Sequence, residues 1–203
     1  MMASRLAHLM LSIAFIAAVA SGCGTTAPSR FYTLDATAVA DSATPVDVAV
    51  MVGPVSIPAA IDRPEFVVQT APNRVDIDEF NRWAAPLSDN IAQAVAGNLV
   101  RLLGTQKVAA APIANFDPAY RVTIDVQRFD SVPGQAAVFE AVWVVHSTAS
   151  GKAGGETRSG RTVDREAVQG GGFDALAAAH SQALAKMSGA IAAAIRAEAE
   201  EQR

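Results

Sequence analysis

Residues 120–126 read YRVTIDV and residues 136–146 read AAVFEAVWVVH, and these two stretches decide the fold class. In the first, Tyr120, Val122, Ile124 and Val126 alternate with Arg121, Thr123, Asp125 and Gln127. That is the period of a strand with one face on a core and one in water. The second is apolar on both faces apart from Glu140, which predicts a central strand. On the C-terminal side, residues 154–164 (GGETRSGRTVD) are polar and read as an edge or a twisted hairpin partner. Gly170-Gly171-Gly172 is a break. A long helix then runs from about Phe173 to Glu200, with a stripe of Phe173, Leu176, His180, Leu184, Met187, Ile191 and Ile195.

The first half of the chain repeats the pattern of strands followed by a helix. Arg30–Leu34 and Val46–Val55 read as strands, separated by a loop over 35–44. Gly53, Pro54 and Pro58 punctuate the second strand, and extended backbone is expected before each proline. Phe66–Thr70 and Arg74–Ile77 flank Ala71-Pro72-Asn73, a hairpin signal. Leu87, Ile91, Val95, Leu99 and Leu102/Leu103 form one helical stripe. Pro86 suits the first turn, Ser88 or Asp89 suits a cap, Gly104 ends the helix, and Trp83 is placed to cover its start. Lys107–Ala111 is a short strand candidate. The order predicts an α/β (mixed α+β) single domain, a mixed β-sheet with two main helices packed on it.

The N-terminus tells a different story. Residues 1–22 carry Arg5, an apolar run from Leu6 to Ala20, and the small pair Ser21-Gly22, the layout of a secretory signal peptide. The run is too short to span a bilayer, which takes roughly 20 residues. Cys23 is the single cysteine of the 203 residues and follows the small pair directly. The segment resembles a bacterial lipobox, in which the thiol takes a diacylglycerol and the freed amine a third, palmitate-type chain. It departs from the usual pattern at Ala20, where Leu is common. Residues 23–29 are then a lipidated N-terminus and polar tether of at most about 20–25 Å, and residues 30–203 form the domain. Two or more acyl chains anchor firmly where one does so marginally. With its only thiol in the anchor, the chain has no intramolecular disulfide and must stand on packing, which the 51% hydrophobic composition allows.

Charge narrows the partners. Sixteen basic and 20 acidic residues give −4, and Arg5 leaves with the leader. A nucleic-acid binder would show a basic patch, whereas Lys107, Lys152 and Lys186 are scattered. For the same reason no electrostatic attachment to anionic lipid is expected.

Chemistry is sparse. His8 leaves with the leader, so His146 and His180 remain, with no HExxH or CxxC pattern for a metal. His180 on the helical stripe reads as a buried or boundary histidine with one hydrogen bond, and His146 as a surface residue at a strand end. Neither a Gly-x-Ser-x-Gly elbow nor a phosphate loop is present. Asp76, Asp78 and Glu79 lack the glycine and distal Glu of a calcium loop and read as solvated turn acids. Arg63, Arg74 and Arg82 are expected to pair with Asp62, Asp76 or Glu79, or else to face a partner. The reading is therefore of a non-enzyme with no catalytic, metal or cofactor residues, the covalent lipid on Cys23 being its only attached group.

Several segments in order carry a resemblance: Phe31-Tyr32-Thr33-Leu34 soon after the lipobox, Val52-Gly53-Pro54-Val55 with Ile57-Pro58, Ile61-Asp62-Arg63-Pro64, Asn73-Arg74, the run Phe80–Leu87 (FNRWAAPL), and Phe173-Asp174-Ala175-Leu176 continuing through Ala179–Leu184 to Met187-Ser188. The chain resembles the ABC-type transport auxiliary lipoproteins, the PqiC-like family. The resemblance implies an outer-membrane lipoprotein subunit of an intermembrane lipid transport system. Its partners would be an MCE-domain tunnel protein and an inner-membrane permease, with a homo-oligomeric ring as one arrangement. Gly24, where retention at the inner membrane typically requires Asp, implies the periplasmic face of the outer membrane. Ala177, Ala178, Ala185, Ala192, Ala193 and Ala194 would pack either on a neighbouring copy or on the sheet. Two other classes are a lipid carrier with its own acyl-chain cavity and an envelope hydrolase using Ser181 and His180.

Overall fold

A computed structural model describes residues 27–40, 43–148 and 157–201. The leader, Ala20, Cys23 and Lys152 lie outside the described residues. Eight strands and two helices follow in the order β1 (Arg30–Tyr32), β2 (Val50–Ser56), β3 (Glu65–Ala71), β4 (Arg74–Trp83), α1 (Leu87–Leu103), β5 (Val108–Ala110), β6 (Tyr120–Val132), β7 (Ala136–Ser147), β8 (Thr157–Ala167) and α2 (Gly172–Glu201). This is the predicted mixed sheet with two helices.

The sheet forks. On one side β6 pairs antiparallel along its length with β7, which pairs antiparallel with β8. On the other side β6 holds two different strands. Its first half is parallel to β2, which carries β5. Its far end touches β3 at Val68 and Ser131, and β3 carries β4 and then β1. β7 is thus interior, as its two-sided apolar pattern required, and β8 is an edge.

Both helices cover one face. Val50, Val52, Val122, Ile124, Phe139, Trp143 and Val145 point toward α1 and α2 and are nearly sealed. Only part of the cap expected for α1 forms. Pro86 occupies the N-cap without a side-chain hydrogen bond, so neither Ser88 nor Asp89 caps the helix, while Asn90 Nδ2 donates to the Ala85 carbonyl at 2.9 Å. Gly104 ends α1 in the left-handed conformation (φ 69°), its amide donating to Val100 O. On β8 the residues facing α2 are polar. Lys186 pairs with Asp164 and Glu166, and Arg158 with Glu198 and Glu201. Gly160 belongs to the same row because the Trp143 ring lies over it: a β-carbon there would come within 2.2 Å of Trp143 Cζ2.

The segment after β1, read as a loop, is strapped across the helices. Asp35 N donates to Ser181 Oγ at 3.0 Å, and Thr37 Oγ1 to the Ser181 carbonyl at 3.2 Å. Ala38 N donates to Asn98 Oδ1 at 2.8 Å. Asn98 is fully buried and its amide donates to Ser188 Oγ at 3.3 Å. One side chain thereby ties α1 to α2 and to the strap.

Candidate functional site

Of the residues singled out by chemistry, His180 joins an aromatic block between the fork of the sheet and the start of α2. Phe66 of β3 stacks on Trp83 of β4 (centroids 4.2 Å apart) and meets Phe173 edge-on at 5.1 Å. Tyr32 of β1 meets Phe66 edge-on at 5.7 Å. Trp83 leads to Phe129, and Phe129 lies flat on the His180 ring at 3.6 Å, with planes 6° apart. Such pairs each add about 0.5–1.5 kcal/mol beyond burial, so this block is a main source of cohesion where the sheet is thinnest.

Two bulges put these rings there. In β6, Val126 is opposite Ala141 but Arg128 is opposite Glu140, so Gln127 is an extra residue. The inward face switches from even to odd numbers, bringing Phe129 and Ser131 inside. In β4, Glu65 is opposite Arg82 and Phe66 opposite Asp78, so Glu79, Phe80 and Asn81 are bulged out. Asp78 closes that bulge: its Oδ1 accepts from the amides of Phe80 and Asn81 and from Asn81 Nδ2. Partial burial opposes the charge on Asp78. The bonds from the Asn81 side chain and from the Asn81 and Phe80 amides outweigh it, and the carboxyl is held below its ordinary range. Asn81 Oδ1 in turn accepts the Tyr32 hydroxyl at 2.7 Å, locking β1 against β4.

His180 is fully buried. It shares a hydrogen bond of 2.9 Å with Ser131 Oγ, and its Nδ1 has no hydrogen-bond partner among the described residues. Burial pushes its pKa down to about 3. Ser131 is as deeply buried, and the void beside it is about 10 Å3, room for one water at most. A serine bonded to a histidine is thus present, but the ring is a poor base, no carboxylate among the described residues orients it, and the void beside it holds no more than a water. Ser181, the serine named from sequence, is not the partner. Its hydroxyl donates to the Ala177 carbonyl at 2.8 Å and serves the strap. Sequence reasoning missed Ser131, because the alternation that would flag it changes phase at Gln127.

The remaining candidates disperse. His146 is exposed at the end of β7, as expected. Arg82 pairs at 2.8 Å with Glu65, not with the acids named from sequence, and Arg74 Nε donates to Thr70 Oγ1. Of the six α2 alanines singled out from sequence, Ala177 and Ala192 are buried in the chain's own core, Ala178 and Ala193 are exposed, and Ala185 and Ala194 lie between, so they do not form one face.

Comparison with known proteins names what this geometry belongs to. The sequence model for the ABC-type transport auxiliary lipoprotein component matches residues 32–192. The chain belongs to that family. Two solved structures share the fold of this auxiliary lipoprotein. One is an uncharacterized protein with 22% identity and a TM-score of 0.65, covering 83% of this chain and 99% of the other. The second is a Xanthomonas campestris protein with 19% identity and a TM-score of 0.63, covering 86% and 98%. No curated protein matches. Some of the segments that carried the resemblance supply members of the aromatic block: Tyr32, Trp83, Phe173 and His180.

Proposed function

We propose that this auxiliary lipoprotein component is a non-enzymatic subunit of an MCE-type intermembrane lipid transport system, held by acyl chains on Cys23 at the periplasmic face of the outer membrane, where it docks the end of the MCE tunnel. The observation that carries the reading is the family match across the whole sheet-and-helix domain. The interior agrees with a docking role: buried Asn98, Ser181 and Ser188 are spent on the strap and its ties to the helices, and the void beside Ser131 is about 10 Å3, against roughly 300–1,000 Å3 for a small-molecule pocket. Full-length protein should carry a mass increment of three acyl chains on Cys23 and should co-purify with the MCE protein and permease encoded with it. A lipidated, folded sample that captures neither would end the docking reading.

The carrier reading has one observation in its favour, an open groove of about 520 Å3 beside the β3–β4 hairpin tip, between Gln69–Pro72 and Val132–Arg165. Native mass spectrometry separates the two. Phospholipid retained at a fixed ratio would support the carrier, and a clean protein mass the docking subunit.

A further inference from the structure

Seven large hydrophobic side chains are exposed among the described residues, and four of them sit on two adjoining strands: Phe31 on β1, and Val75, Ile77 and Phe80 on β4. Phe31 is 64% exposed, Val75 55% and Ile77 47%. The register explains why they share a surface. Ile77 is opposite Val67 and Val75 opposite Gln69, on the face away from the helices, whereas Asp76 and Asp78 are opposite Val68 and Phe66 and alternate to the other side. Phe31 is opposite Arg82, two positions further along the same row, since the bulge brings Arg82 next to Asp78. The row from Phe31 past Ile77 to Val75 is roughly 14 Å long. Surface apolar residues scattered singly need no explanation, but a contiguous row does.

The way the chain enters the domain says what covers it. β1 is parallel to β4, with Arg30 opposite Asn81. At Arg30 the strand direction therefore points back along the open edge of β4, toward the level of Ile77 and Val75. Residues 27–29 are exposed and have no regular structure. Cys23 lies seven residues before Arg30, so the anchor can stand no further than roughly 29 Å from Phe31, a reach about twice the length of the row. Arg30 and Arg74, the chain neighbours of Phe31 and Val75, are exposed, and such side chains reach headgroups while their stems stay on apolar surface.

We propose that the row Phe31–Ile77–Val75 rests in the interfacial layer of the bilayer that holds the anchor, fixing how the domain stands on the membrane. This rests on the lipid-anchored reading above. Contact of this kind adds apolar area to the acyl chains and converts a tether into an oriented mount.

Full-length lipidated protein in phosphatidylethanolamine–phosphatidylglycerol vesicles with brominated acyl chains tests it. Trp83 and Trp143 are buried and give the baseline. The variants are Phe31→Trp, Ile77→Trp and, as a control on the far edge β8, Val163→Trp, all at exposed positions. Bromine should quench the added emission of the first two and leave that of the third. If all variants float with the vesicles and none is quenched, the mount is wrong while the anchor stands; equal quenching of all three also overturns it, because no face is then preferred. A blue shift at Phe31→Trp without quenching would show protein covering the row and equally refute it. Protein that does not float refutes the anchor itself, and this contact with it.

Discussion

Replacing His180 with Phe and Ser131 with Ala together should flatten the pH dependence of stability. Native His180 titrates at about 3 because its ring is buried, against 6.5 for a free histidine. Between those values the unfolded chain binds a proton that the folded chain excludes. Its contribution to stability is whole above about pH 7 and falls as pH drops toward 3. From about pH 7.5 to about pH 5 the loss from this one residue is about 2 kcal/mol. The double replacement is needed because His180→Phe alone strands the Ser131 hydroxyl in a dry core, which costs about 1–3 kcal/mol. Phe at 180 keeps the ring against Phe129, and removing both polar partners leaves no orphan. Urea unfolding followed by Trp83 and Trp143 fluorescence, at a series of pH values, gives the two curves. All other titratable groups are common to both proteins, so the difference isolates His180. Wild type should lose about 2 kcal/mol more than the variant over that interval. Parallel curves would refute the reasoning, showing that water or a carbonyl reaches Nδ1 and that the ring accepts its proton in the folded state.

Gly160→Ala forces a β-carbon into the Trp143 ring and should cost about 1–3 kcal/mol in chemical denaturation. Trp143→Phe in the same chain should recover part of that, and simple additivity of the two would count against the contact. Asn98→Ala leaves the Ala38 amide and Ser188 without their buried partner and should cost about 2–3 kcal/mol. Hydrogen exchange at Ala38 should accelerate more than at Val122 in the sheet; uniform acceleration would mean the strap is not tied locally. Asp78→Ala should free the Phe80 and Asn81 amides and speed exchange in β1 selectively, with protection in β7 unchanged.

Where one period ran on without interruption, the sequence was legible. The two-sided apolar run at 136–146 required an interior strand, and β7 lies between β6 and β8. The stripe Leu87–Leu103 and the glycine after it gave α1 and its end, since Gly104 has the positive φ that favours glycine. Two strand ends were missed at bulges. The β6 reading stopped at Gln127, five residues short of Val132, because Gln127 is the extra residue after which the alternation reverses. Likewise β4 was read to Ile77 instead of Trp83, because Glu79–Asn81 bulge out and no period crosses them. Single-sequence periodicity registers which face a residue takes only while the pleat keeps phase.

The same two bulges account for what sequence reasoning could not place at the centre of the domain. Phe129 and Ser131 reach His180 only after the β6 phase shift, and Trp83 reaches Phe66 only after the β4 bulge. The segment Phe80–Leu87, which carried much of the family resemblance, is thus the part of the chain where local rules fail and specific residues must hold the backbone. Asp78 binds the bulge amides, Asn81 receives Tyr32, and Trp83 fills the space this opens. Each of these side chains holds the backbone of the bulge or another side chain of the block. They also join β1 to the sheet, and β1 is the first strand after the tether. With Cys23 lipidated as proposed, a pull on the anchor would enter the fold through this junction, and these residues would resist it.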